Sequence, residues 1–104
     1  MNASDQCKLG TSRVVIAGEM TIYTARDWRD RLLVAVSAPG DVELDLSGVS
    51  DIDAAGIQLL VSLRMEAATA DRALRLLSVS ARVTEALTFC RLTEFFSDAL
   101  PAQA

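Results

Sequence analysis

Three carboxylates, Asp45, Asp51 and Asp53, fall within the stretch Asp45-Leu46-Ser47-Gly48-Val49-Ser50-Asp51-Ile52-Asp53-Ala54-Ala55-Gly56. Clustered aspartates can hold a divalent cation for phosphoryl transfer, or accept a phosphoryl group in a receiver-type pocket. A receiver needs an acidic pair after its first strand and a lysine after a late one. Here only Glu19 follows the first apolar run, and the single lysine is Lys8. A magnesium-dependent phosphatase needs a nucleophile or a glycine-rich phosphate cradle, and no such motif accompanies the aspartates. The chain contains no histidine, which excludes serine or cysteine nucleophiles activated by imidazole and the usual zinc sites. Cys7 and Cys90 are too few for a disulfide framework, and Cys90 is expected as a small core residue on an apolar helical stripe. The remaining role for Asp53 is an N-cap, whose carboxylate accepts amide hydrogens and interacts with the helix dipole, while Asp45 is expected as an outward strand residue. The chain is expected to be non-enzymatic, with no cofactor and no bound metal.

The elements that must position this stretch are legible from periodicity. Arg13-Val14-Val15-Ile16-Ala17 is a β-branched run that stops at Gly18-Glu19 and predicts a strand. Thr24 before Ala25-Arg26-Asp27 resembles a capping box with Asp in place of Glu, and Trp28, Leu32 and Ala35 recur at helical spacing, predicting a helix over 25–37. Asp27 and Arg31 stand at i, i+4 on its other face, the spacing of a solvated ion pair. Val42-Glu43-Leu44-Asp45-Leu46 alternates as a half-buried strand, which Ser47-Gly48 is expected to break.

A second helix is expected from Ala54 to about Ala68, with Asp53 as its cap. Its apolar residues, Ile57, Leu59, Leu60, Val61, Leu63, Met65, Ala67 and Ala68, cover an arc wider than one buried face needs. Gly56 in its first turn permits close backbone approach by a neighbouring element or by a partner. Residues 73–79 predict another strand. Ser80 opens a third helix with Val83, Ala86, Leu87 and Cys90 in register, and Leu92, Phe95 and Phe96 form a last apolar turn. Residues 1–12 offer at most one short edge strand. Alternating strands and helices, joined by right-handed crossovers, predict an α/β fold with a small, mostly parallel or mixed four-stranded sheet and helices packed on it.

The chain has 104 residues, the size of one domain, and a hydrophobic content that supports a packed core. A net charge of −4 argues against nucleic acid as a partner. The polar start and the lack of an apolar run long enough to span a bilayer lead to the expectation of a cytoplasmic protein without membrane insertion.

Over residues 13–98 the sequence resembles the STAS family, the sulfate-transporter and anti-sigma-factor-antagonist domain. Gly18-Glu19-Met20-Thr21 is similar to the family's G-E-[LI]-D turn, and Val42-Glu43-Leu44-Asp45-Leu46-Ser47-Gly48-Val49 to its hydrophobic-D-L-x-x-V strand. Asp51-Ile52-Asp53-Ala54-Ala55-Gly56-Ile57 is similar to the segment that reads x-[IM]-D-S-[SA]-G-[LI] in phospho-switched members. Ser80-Ala81-Arg82-Val83 and Leu92-Thr93-Glu94-Phe95-Phe96 are similar to its S-P-x-V and closing L-x-x-x-F.

The resemblance implies a bacterial signal-transduction module of the anti-anti-sigma type, acting in transcription regulation by protein–protein interaction. In such antagonists the serine after the aspartate is phosphorylated by a partner kinase, and the added charge releases the partner. That position is Ala54 here, a degenerate phosphorylation position without a hydroxyl, and Thr21 replaces the acidic residue of the turn. The implied partner is an anti-sigma-factor kinase or a related signalling ATPase domain. It would dock on the 53–62 segment through Asp53, Ala54, Ala55, Gly56, Gln58, Leu59 and Ser62. Leu59 is expected either as an exposed apolar anchor or, with Leu63, packed under the carboxyl-terminal helix. The resemblance also admits an accessory STAS subunit of a membrane lipid-transport ATPase using the same face, or a STAS domain that senses a small molecule near Gly56.

Overall fold

The computed structural model describes residues 11–97. Six elements follow in the expected order: β1 (Thr11–Met20), α1 (Ala25–Ser37), β2 (Asp41–Ile52), α2 (Ala54–Thr69), β3 (Leu74–Val79) and α3 (Ala81–Phe89). The fold is α/β. Among the described residues the sheet has three strands in the order β1-β2-β3, all parallel, rather than four. The expected extra edge strand falls on 1–12, of which 1–10 lie outside the described residues.

Ser12, Val42 and Leu74 stand side by side across the sheet, as do Val14, Leu44 and Leu76, so the alternating apolar positions of three strands converge on one face. Val42, Leu44, Leu46, Leu74 and Leu76 are buried there. Helices α1 and α2 lie side by side over that face. Leu32 and Val36 of α1, and Ile57, Leu60, Leu63 and Ala67 of α2, complete the core. The opposite face carries Arg13, Val15, Glu43, Asp45 and Arg75, exposed or half-exposed, with Arg13 Nη2 3.2 Å from Glu43 Oε1.

Ser47-Gly48 does not break β2. Val15 pairs with Asp45 but Ala17 with Gly48, and Gly18 pairs with Val49 but Glu19 with Asp51, so β2 twice carries one residue more than β1. An extra residue reverses the alternation. Val49 rather than Gly48 therefore turns inward, at 2% exposure, and the strand continues to the carboxylate cluster. Gly48 sits where an added Cβ would stand 3.0 Å from the Ala17 Cβ.

Three local expectations are corrected. Thr24 precedes α1 but makes no side-chain cap bond; its hydroxyl donates to the Glu19 carbonyl at 2.8 Å and accepts the Thr21 N–H at 3.0 Å, tying the entry turn to the end of β1. Arg31 does not pair with Asp27 but lies over the Trp28 ring, 4.3 Å from its centroid. Cys90 is exposed rather than in the core. α3 ends at Phe89, the backbone reverses at Arg91 (φ 59°), and the Leu92 N–H returns to the Leu87 carbonyl at 2.8 Å, so half-buried Leu92 packs against the core where the helical stripe placed the thiol.

Candidate partner-docking site

The carboxylate stretch lies where β2 runs into α2, beside the end of β1 and the turn 21–24. Ser80 caps α3 by accepting the Val83 N–H, but Asp53 caps more than its own helix. One carboxylate oxygen accepts the N–H groups of Ala55 at 2.9 Å and Gly56 at 3.2 Å. The other accepts the Ile22 N–H at 3.0 Å. The Asp53 N–H donates to the Met20 carbonyl at 3.3 Å. A single residue thus joins β1, the turn before α1 and the start of α2. The Ile22 N–H, with those of Gly56 and Ala55, holds its carboxyl below the ordinary carboxylate range.

The other two aspartates do not converge with it. Asp45 points to the outward sheet face, where the Ser47 hydroxyl at 2.7 Å and N–H at 2.9 Å keep its carboxyl below the usual range. Asp51 accepts its neighbour Ile52's N–H at 3.0 Å and is exposed. Among the described residues no group of three or more His, Cys, Asp or Glu side chains is placed to hold a metal ion. The cluster of the sequence is, in space, one structural cap and two surface carboxylates.

Of the predicted contact residues, Asp53, Ala54, Gln58 and Ser62 are exposed and Ala55 is half-buried. Gly56 and Leu59 are not on the surface. A Cβ on Gly56 would meet the Met20 carbonyl oxygen at 2.2 Å and Ile52 Cγ1 at 2.7 Å, so the close approach it permits is made by β1 of the same chain. Leu59, 6% exposed, belongs to the core and forms the floor of a groove between α1 and α2, with Arg26 and Arg29 on one wall and Gln58 and Ser62 on the other. It is a core residue and not an exposed anchor.

The exposed apolar side chains at this end are instead Ile22 and Tyr23, 69% and 90% exposed, in the turn held by Asp53. Sequence reasoning missed them. The available signal was that Ile22-Tyr23 follows Gly18-Glu19-Met20-Thr21 directly, where a turn rather than a strand presents side chains to solvent. Thr21 is itself buried, and its hydroxyl accepts the Tyr23 N–H at 3.3 Å.

A family model described as "Mlab, STAS domain" matches residues 4–100. The chain belongs to the STAS domain family. The STAS domain is similar in structure to the anti-sigma factor antagonist SpoIIAA in its unphosphorylated form, with a TM-score of 0.72 at 17% identity over 92% of this chain and 82% of that one. It is also similar to a sulfate transporter family protein from Wolinella succinogenes, with a TM-score of 0.70 at 24% identity over 88% of this chain and 76% of that one. These likenesses are of fold. No protein of curated function matches the sequence significantly. In this STAS domain the first residue of α2 is Ala54, whose methyl group is exposed at the helix start.

Proposed function

We propose that this single STAS domain is a non-enzymatic protein-binding regulator of the anti-sigma-factor-antagonist type. Its partner is a regulatory kinase of the anti-sigma class or a related signalling ATPase domain, met in the cytoplasm. The observation that carries the reading is the junction surface. Exposed Ile22 and Tyr23 stand beside exposed Ala54 and Gln58, in a turn pinned by Asp53 to the start of α2. An exposed aromatic with low rotamer entropy, in a turn hydrogen-bonded to the start of a helix, has the composition of an interface centre. Among the described residues no helix is long and apolar enough to cross a membrane.

Because position 54 carries a methyl group, the proposed complex has no phosphoryl switch there and is governed by abundance or by the partner's own state. The same feature supports a second reading, a constitutive accessory subunit of a membrane lipid-transport ATPase docked through the same face. Affinity capture from the native host with wild type, Tyr23→Asp, Ala54→Arg and Val15→Asp tests the site. The same protein should be captured by wild type and by Val15→Asp, which alters the outward sheet face, and lost with both junction variants. Its retention by both junction variants refutes the proposed surface; its identity as a kinase or a transport ATPase separates the two readings.

A further inference from the structure

The groove between α1 and α2 opens at the same end of the molecule as the junction, since Ala25 and Arg26 directly follow Tyr23-Thr24 and Ala55 directly follows Ala54. It measures about 210 Å³, has buried Leu59 as its floor, and no carboxylate lines it. Arg26 and Arg29 stand three residues apart in α1, so both project from one face of that helix. Both are exposed, and among the described residues neither guanidinium has an ion pair, a hydrogen bond or a ring contact. Arg13, Arg75 and Arg82, by contrast, each face a carboxylate, Glu43, Asp41 and Glu85 respectively. Asp27 and Asp30 are exposed on α1 too, but neither is within ion-pair distance of Arg26 or Arg29.

Two uncompensated cations beside an apolar floor, in a chain of net charge −4, select a partner by local sign. An extended polyanion such as nucleic acid or an anionic bilayer would also meet Asp27, Asp30 and an acidic surface beyond them. Guanidinium groups one turn apart match instead two carboxylates one turn apart on another helix, each able to accept a charge-assisted hydrogen bond. We propose that the partner lays an acidic helix along this groove, its two carboxylates on Arg26 and Arg29 and an apolar side chain between them over Leu59. This deepens the docking reading above and rests on it: Ile22 and Tyr23 supply apolar contact, and the arginines decide which helix is accepted.

NMR titration of the full chain tests this with three synthetic helical peptides in an alanine-rich host of about twenty residues, long enough to hold a helix. One carries Glu at i and i+4 with Leu at i+3; the other two carry Gln or Lys in place of both Glu. The Glu peptide should bind at millimolar concentration or below in low salt, about tenfold tighter than the Gln peptide, with shifts centred on Ala55, Gln58 and Ser62. The Lys peptide should not bind. Raising the salt from about 20 to about 200 mM should weaken the Glu peptide several-fold, because exposed charge pairs are screened. Arg26→Gln combined with Arg29→Gln should remove the preference for Glu over Gln. Arg13→Gln combined with Arg82→Gln, which changes the net charge equally on other faces, should preserve it. Ser62→Trp leaves every charge in place, fills the groove from an exposed position and should abolish binding of the Glu peptide. Equal affinity for the Glu and Gln peptides overturns the proposal, as does an equal loss in the two double variants, or no binding of the Glu peptide at millimolar concentration. The peptides probe the groove without any cellular partner, whereas capture with Tyr23→Asp and Ala54→Arg probes the junction with both arginines in place, so the two readings fail separately.

Discussion

Gly56→Ala is the substitution for which general expectation and this structure give opposite signs. In an exposed helix position the change stabilises by about 1 kcal/mol, because alanine loses less backbone entropy than glycine. Here the new Cβ would lie 2.2 Å from the Met20 carbonyl oxygen and 3.0 Å from the Met20 Cβ, inside the separation that real Cβ atoms keep. The oxygen belongs to backbone hydrogen-bonded to the Asp53 N–H, so relief requires α2 to move away from β1 and that bond to lengthen. Overpacking of this kind costs roughly 1–3 kcal/mol, and weakening the hydrogen bond adds about 1 kcal/mol. Against the propensity gain the net is a destabilisation of about 1–3 kcal/mol, near 4–8 °C in Tm for each kcal/mol in a domain of this size. Urea denaturation followed by circular dichroism measures it, with an unchanged m-value showing that the effect lies in the folded state. A midpoint equal to or above that of wild type would refute the close packing of α2 on the end of β1.

Asp53→Ala should cost about 1–2 kcal/mol at neutral pH, since it removes an N-cap and the acceptor for the Ile22 N–H. The folded-state carboxyl titrates below its ordinary value, so its contribution is fully present above the unfolded pKa near 4 and is lost as pH falls through the lower folded value. The stability gap between wild type and Asp53→Ala, followed from pH 7 down to pH 3 by urea midpoints, should narrow below about pH 4; a constant gap is the contrary result. Leu59→Asp places a charge in the core and should leave the chain unfolded by circular dichroism, while Leu59→Ala costs about 2–4 kcal/mol and still folds; a well-folded Leu59→Asp would return Leu59 to the surface. Ala54→Ser should keep the fold, serine being well tolerated at a helix start. Incubated with a captured kinase and ATP, it should gain a phosphoryl group at residue 54 that wild type lacks, whereas stoichiometric wild-type phosphorylation on Ser50, Ser47 or Thr21 would mean that the switch has moved.

The parts of the fold that rest on strong periodicity were legible from the residues. Helix 25–37, the start of α2 behind Asp53, and the inward Val42, Leu44 and Leu46 all follow from spacing that only one secondary structure satisfies. What misled was chemistry whose partner lies far along the chain. Ser47-Gly48 reads as a break because the sequence does not show β1 alongside it, with two extra residues absorbed in the pairing. Thr24 reads as a cap until the Glu19 carbonyl is in place to receive its hydroxyl. The wide apolar arc of α2 suggested a surface anchor at Leu59, yet the helix is covered along that arc by α1 as well as by the sheet. The Asp53–Ile22 bond joins residues 31 apart in sequence, and with it the placement of Tyr23 at the junction.

Trp28 is the single tryptophan of the chain, and it stands one turn after that junction. Its indole N–H donates to the Glu19 carbonyl at 3.1 Å, and its ring is half-buried beneath Arg31. Indole emission responds to both conditions, the hydrogen bond at the nitrogen and the polarity against the ring. Any rearrangement of residues 19–24 alters both at once, so the protein carries an intrinsic fluorophore at its proposed docking end. Titration with an unlabelled partner can be followed by emission wavelength alone.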